Sequence, residues 1–191
     1  TATCGLDNTG TDQGSKSSVE FLVYNYDASI ESQKTDANAG SKTLTVDPSK
    51  QSATSGYISR SLGYNNVVLE ADIEGAEKLY LVVTNGGDNF NYDHAEWGNP
   101  VLIDAEGHEF SLTEIAWDAN PINGWNEPKV NTNNDGNTMV IAGVTYTKGF
   151  GVNSPSMLTF TLPEGHEYLK FRSTVGYDDD VKTQSNGVTM E

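Results

Sequence analysis

The chain has 191 residues, with 36% hydrophobic residues and a formal charge of −16 from 11 Lys and Arg against 27 Asp and Glu. That apolar content can fill a core, so the sequence reads as globular and not as disordered. Eleven scattered basic residues do not make the cationic surface that nucleic acid or an anionic bilayer requires, so neither is expected as a partner.

The first stretch, TATCGLDNTGTDQGSKSSVEF, repeats the last, FRSTVGYDDDVKTQSNGVTME: Thr3 matches Thr174, Gly5 matches Gly176 and Asp7 matches Asp178. A polar loop follows in both, then Val19 against Val188. A self-match at roughly 170 residues is the length of a domain and not of a solenoid repeat. The expected organisation is therefore the back half of one module (1–104) followed by the front half of another (105–191), cut from a longer protein. Together the halves would supply every strand of a single permuted sandwich, with Tyr168–Val175 beside strands of the 17–26 and 67–84 runs. The one cysteine, Cys4, stands where the second copy has Val175, so a small buried apolar role is expected and no disulfide can form within the chain.

Taken in order, SSVEFLVYNY (17–26) places Val19, Phe21 and Val23 on one face and Leu22, Tyr24 and Tyr26 on the other, a strand covered on both sides. Residues 28–62 turn polar and predict a surface insertion with one short strand at Lys42–Val46. Period two returns in Val67, Leu69, Ala71 and Ile73, then in Leu79, Leu81 and Val83, with a turn at Glu74-Gly75-Ala76. Short turn-bounded runs follow at Pro100–Ile103, Glu109–Ile115, Thr138–Ala142, Met157–Leu162 and Tyr168–Val175. No twelve-residue window has a helical period, so the predicted class is all-β, an antiparallel sandwich.

Three stretches carry candidate chemistry. NGGDNFNYDHAEW (85–97) reads as a loop; Asn89, Asn91 and Asp93 alternate oxygen donors as a calcium loop does, with Asp88 and Glu96 nearby. The other reading is a turn in which Asp and Asn cap their own backbone. His94 reads as a hydrogen-bonded structural residue or a functional one, and Trp97 as a core anchor or a sugar platform, with the core favoured. WDANPINGWNEPKVNTNNDG (117–136) brings Trp117 and Trp125 together with Asp118, Asn120, Asn123, Asn126 and Glu127, aromatic rings and amides that suit a sugar's C–H face and hydroxyls. In VTYTKGFGVNSPSMLTFTLP (144–163), Gly149-Phe150-Gly151 predicts a tight bend ahead of Asn153, and no phosphate-loop Lys-Ser/Thr follows. The usual catalytic motifs (G-x-S-x-G, H-E-x-x-H, C-x-x-C) are absent.

These residues resemble the NPCBM family of carbohydrate-binding modules. The family pattern Y-x-K-G-[IL]-G-x-H-x-x-S followed by F-x-[AS]-x-x-G-x-D is met by Tyr146, Lys148, Gly149, Gly151, Ser156, Phe171, Gly176 and Asp178, with Asn153 standing where the family has His. Gly124-Trp125 resembles its Gly-Trp segment, and Asp93, His94 and Trp97 its D-H-A-[DE]-W motif. The resemblance implies a jelly-roll-like sandwich and a non-catalytic module of a secreted or cell-surface glycan-degrading protein. It also implies glycan as ligand, galactose-containing glycans among them, catalytic or repeat modules as neighbours, and often a structural Ca2+. The candidate glycan contacts are Trp117, Asp118, Trp125, Asn126, Asn153, His94 and Glu96; the candidate metal ligands are Asp88, Asn89, Asn91 and Asp93. The alternative is a calcium-stabilised structural or adhesion sandwich without a sugar site; a third, a piece of a sandwich enzyme, would require turnover of a glycoside.

Overall fold

A computed structural model describes residues 20–24, 31–35, 42–45, 51–58, 66–86 and 91–182; Cys4, Asp88, Asn89 and the N-terminal copy of the Gly-x-Asp segment lie outside them. The strands are β1 (Glu20–Tyr24), β2 (Glu31–Thr35), β3 (Lys42–Thr45), β4 (Ala53–Thr54), β5 (Asn66–Asp72), β6 (Lys78–Thr84) and β7 (His94–Asp104). They continue with β8 (Glu109–Ser111), β9 (Lys129–Val130), β10 (Met139–Ile141), β11 (Val144–Tyr146), β12 (Gly149–Asn153), β13 (Ser156–Thr161) and β14 (Tyr168–Tyr177). Single 3-10 turns cover Leu112–Glu114 and Asp179–Val181. Among the described residues there is no α-helix, and no helix is long and apolar enough to cross a membrane.

The fold is an antiparallel, jelly-roll-like sandwich. One sheet runs β13-β6-β1-β4 and the other β5-β14-β7-β12-β9, with β8 added to β7. Both sheets mix strands from before and after residue 104. β14 lies antiparallel between β5 and β7, while β6 lies between β13 and β1. So Tyr168–Val175 pairs directly with the 67–73 run, whereas β1, the described part of the 17–26 run, belongs to the opposite sheet.

Strand alternation explains the packing. Phe21, Val23, Leu79, Leu81, Leu158 and Phe160 point inward from the first sheet against Leu69, Trp97, Phe150, Phe171 and Val175 of the second. Trp97 sits in the middle, edge-on to Phe21 (ring centroids 4.9 Å apart) and to Phe171 (6.1 Å), which is the core role expected for it. β6 is apolar on both faces because its back is covered too. Leu22, Tyr80 and Val82 form a second cluster with Leu44, Ile122 and Met157.

Three expectations needed correction. The 28–62 segment is more than a surface insertion: β4 pairs with β1, and Leu44 and Ile58 are buried. Ile58 alone gains about 1.5–3 kcal/mol by burial, which offsets part of the ordering cost of a polar stretch. His94 to Trp97 form the start of the eleven-residue β7 and not a loop, because Ala95 and Trp97 feed the core while His94 and Glu96 face outward. Gly149-Phe150-Gly151 is not a bend either; it is β12, with Phe150 in the core and the glycines on the outer face, where other backbone lies against them.

Candidate functional site

The outer face of the second sheet, at the end where β7 begins and β14 ends, carries buried polar residues, Glu96, Asn133 and Asp178 among them. In register there, Glu96 of β7 is flanked by Gly151 of β12 on one side and Gly176 of β14 on the other. Neither neighbour has a side chain to fill the space over the sheet. The 131–137 loop closes it instead, resting so near that a Cβ on Gly151 would lie 2.4 Å from the Thr132 carbonyl oxygen. Glu96 is thus fully buried, and neither carboxylate oxygen has a hydrogen-bond partner among the described residues.

Around Glu96 the chain gathers more acid. Asp178 follows β14 and caps the next 3-10 turn: its Oδ1 accepts from the Asp180 N–H (2.9 Å) and its Oδ2 from the Val140 N–H (2.9 Å). Asn133 Nδ2 donates to Asp180 Oδ2 (3.1 Å), which also accepts from His94 Nδ1 at 3.1 Å. One ligand-capable atom each from His94, Asp135 and Asp180 lie within 4.8 Å of one another, with His94 half-buried and both acids exposed.

The electrostatics follow from this crowding. Burial lifts the Glu96 carboxyl well above the usual carboxylate range, and the charges of Asp178 and Asp180 lift it further. Asp178 is pushed up to about 6, first by burial and also by Asp180, against the hydrogen bonds it accepts. Burial opposes the charged form of His94, but its hydrogen bond to Asp180 and the charges of Asp180, Asp135 and Asp178 carry its pKa above the ordinary value.

Beside this cluster an amide network holds the 120s loop. Asn123 Nδ2 donates to the carbonyls of Trp125 (2.7 Å) and Asn126 (3.2 Å) and to Asn134 Oδ1 (3.0 Å). Asn134 Nδ2 donates to the same Trp125 carbonyl (3.1 Å), and Asn123 Oδ1 accepts from the Asn153 N–H (2.9 Å). Gly124 lies so close to the Ser154 carbonyl that a Cβ would sit 1.9 Å from that oxygen. The result is a fixed backbone under a free ring: Trp125 is 56% exposed, and Asn126 beside it is exposed with φ of 55°.

The other candidates are placed differently. Trp117 is half-buried with its ring edge-on to Phe150, and Asp118 pairs with Lys78 (3.2 Å) and Thr161 (3.1 Å) at the edge of the first sheet. Asn153 and Glu96 are buried beneath the surface and do not meet solvent. Asn91 is exposed, and the buried Asp93 carboxylate accepts from the Ser154 hydroxyl. A hollow of about 430 Å³ lies elsewhere on the outer face, but its cations, Arg172 and Lys148, are paired with Glu109 and Glu114. Asn133, Asn134, Asp135 and Asp180 were missed as site residues. Their signal was compositional, the NTNNDG loop and the DDD run after Gly176, and nothing local said the two would meet.

The sequence pattern of the NPCBM/NEW2 domain matches residues 1–103 and 108–191, almost the whole chain. The chain belongs to the NPCBM/NEW2 domain family. This is a family of non-catalytic carbohydrate-binding modules, typically extracellular. No curated protein and no solved structure matches the chain. Of the residues that carry the resemblance in the sequence, Trp97 lies in the core and Asp93 and Asp178 are buried polar groups.

Proposed function

We propose that this NPCBM module binds galactose-containing glycans at the Trp125 surface and holds a secreted or surface-bound glycan-degrading protein on its substrate. The observation that carries the reading is an exposed indole on a backbone clamped by Asn123 and Asn134. Such a ring offers the apolar C–H face of a pyranose a platform at little ordering cost, while Asn126 and its neighbours meet the hydroxyls. Trp117 and Asp118, already engaged in the fold, contribute little to ligand contact on this reading. A single shallow site of this kind binds at about millimolar to micromolar Kd, and tandem modules gain by effective concentration. Trp125→Ala should weaken binding to immobilised galactosides about tenfold or more while leaving the melting temperature unchanged. Galactoside binding that survives the substitution would move the site elsewhere, and no binding to any glycan on an array would favour a purely structural or adhesive sandwich.

A Ca2+ ion at the 85–93 loop belongs to the same proposal, on Asp88, Asn89, Asn91 and Asp93. Its support is the alternating oxygen spacing and the hard oxygen-only donor set. Bound to the native state alone, calcium should raise the melting temperature. The absence of any shift between calcium and chelator would remove it.

The proposal also takes the two matched segments as halves of one circularly permuted module. Its support is the interleaving of strands from both segments in each sheet.

A further inference from the structure

We infer that His94, Asp135 and Asp180 form a second metal site, separate from the 85–93 loop, that takes a divalent transition-series cation such as Mn2+ or Zn2+.

Two independent observations meet here. The first is the convergence of an imidazole and two carboxylates within 4.8 Å of one another at an exposed rim. The second is Glu96, two residues along β7 from His94 and so on the same face of the strand. Its carboxylate is completely buried, both oxygens lack a partner among the described residues, and strand register sets Glu96 opposite Gly176, two residues before Asp178. A buried carboxyl group with no hydrogen bond costs folding free energy unless something compensates it. Among the described residues no Lys or Arg pairs with Glu96, Asp135, Asp178 or Asp180. Of these acids only Asp180 has a cationic partner, the His94 imidazole, and a cation at the rim would add positive charge beside the others.

The donor types select the ion class. Calcium and magnesium take oxygen ligands, whereas an imidazole nitrogen with carboxylates suits the first-row divalent ions. Asn133 Nδ2, which donates to Asp180, is the outer partner that would hold that carboxylate in place. With both acids exposed, part of the coordination sphere would stay open to water or to a ligand hydroxyl.

The inference stands apart from the glycan reading and is tested without sugar. The full chain is stripped with chelator, and Mn2+ or Zn2+ alone is titrated by calorimetry, with Mn2+ also followed by its EPR signal. One saturable equivalent is expected, weakened about tenfold or more in Asp135→Asn and again in Glu96→Gln, with tenfold excess Ca2+ failing to displace it. Asp135 is exposed and its side chain holds no described element, so Asp135→Asn should keep the fold even if Glu96→Gln does not. Absence of saturable binding, or affinity unchanged in a folded Asp135→Asn, overturns the site. Equal competition by Ca2+ overturns the assignment of ion class.

Discussion

Trp97→Ala is expected to remove about 3–5 kcal/mol of stability, because it empties the largest side-chain volume at the centre of the sandwich. The indole is 0% exposed and touches rings from both sheets, Phe21 and Phe171, so its loss unseats the sheet-to-sheet contact and not one strand. For a chain of this size that corresponds to a fall of roughly 10 °C or more in melting temperature, with the denaturant midpoint falling in step. Trp97→Phe should cost less. It keeps a ring against both neighbours and deletes an indole N–H that has no partner among the described residues. A melting temperature unchanged in Trp97→Ala, with glycan binding lost, would make Trp97 a ligand contact instead of a core residue.

The second expected result is larger. Expressed separately, residues 1–104 and 105–191 should each lack a cooperative unfolding transition, and mixing them should restore one. The reason is the pairing pattern. β14 has both its neighbours, β5 and β7, in the first segment; β13 hydrogen-bonds along β6 in the first segment, and β12 along β7. Without the other segment, 105–191 exposes the inner faces of Phe150, Phe160 and Phe171, and 1–104 exposes Leu81 and Trp97. Neither piece then buries enough apolar surface to offset the entropy of ordering its strands. Two independently folding halves, each with its own sharp melting transition, would mean that the sheets do not depend on the interleaving.

The legible part of the fold was what local period can encode. Val67 to Ile73, Leu79 to Val83 and Leu158 to Leu162 alternate, and each run lies in or overlaps an observed strand with its apolar face inward. Short β4, β9 and β12 were not legible, because two to five residues give too few turns of the pattern to separate a strand from a bend. Gly149-Phe150-Gly151 illustrates this. Its glycines are there for backbone lying across the sheet, and sequence offers the same letters for a tight turn.

The site divides the same way. The amino-acid sequence by itself determined the all-β class, the aromatic and amide content of the 117–136 segment and the motifs around Asp93, His94 and Asp178, and it favoured a core role for Trp97 that burial then bore out. Only the tertiary structure decided which of these residues meet. Trp125 stands exposed while Trp117 is turned onto Phe150, although both occur in the same stretch with similar neighbours. Glu96 became an unpartnered buried acid because strand register set it between two glycines and the 131–137 loop closed over it. His94, Asp135 and Asp180 are about forty to ninety residues apart in the chain, and sheet pairing between β7 and β14 sets such distances. Alternation fixes which face a side chain takes, but the roof over that face comes from segments whose positions depend on non-local pairing.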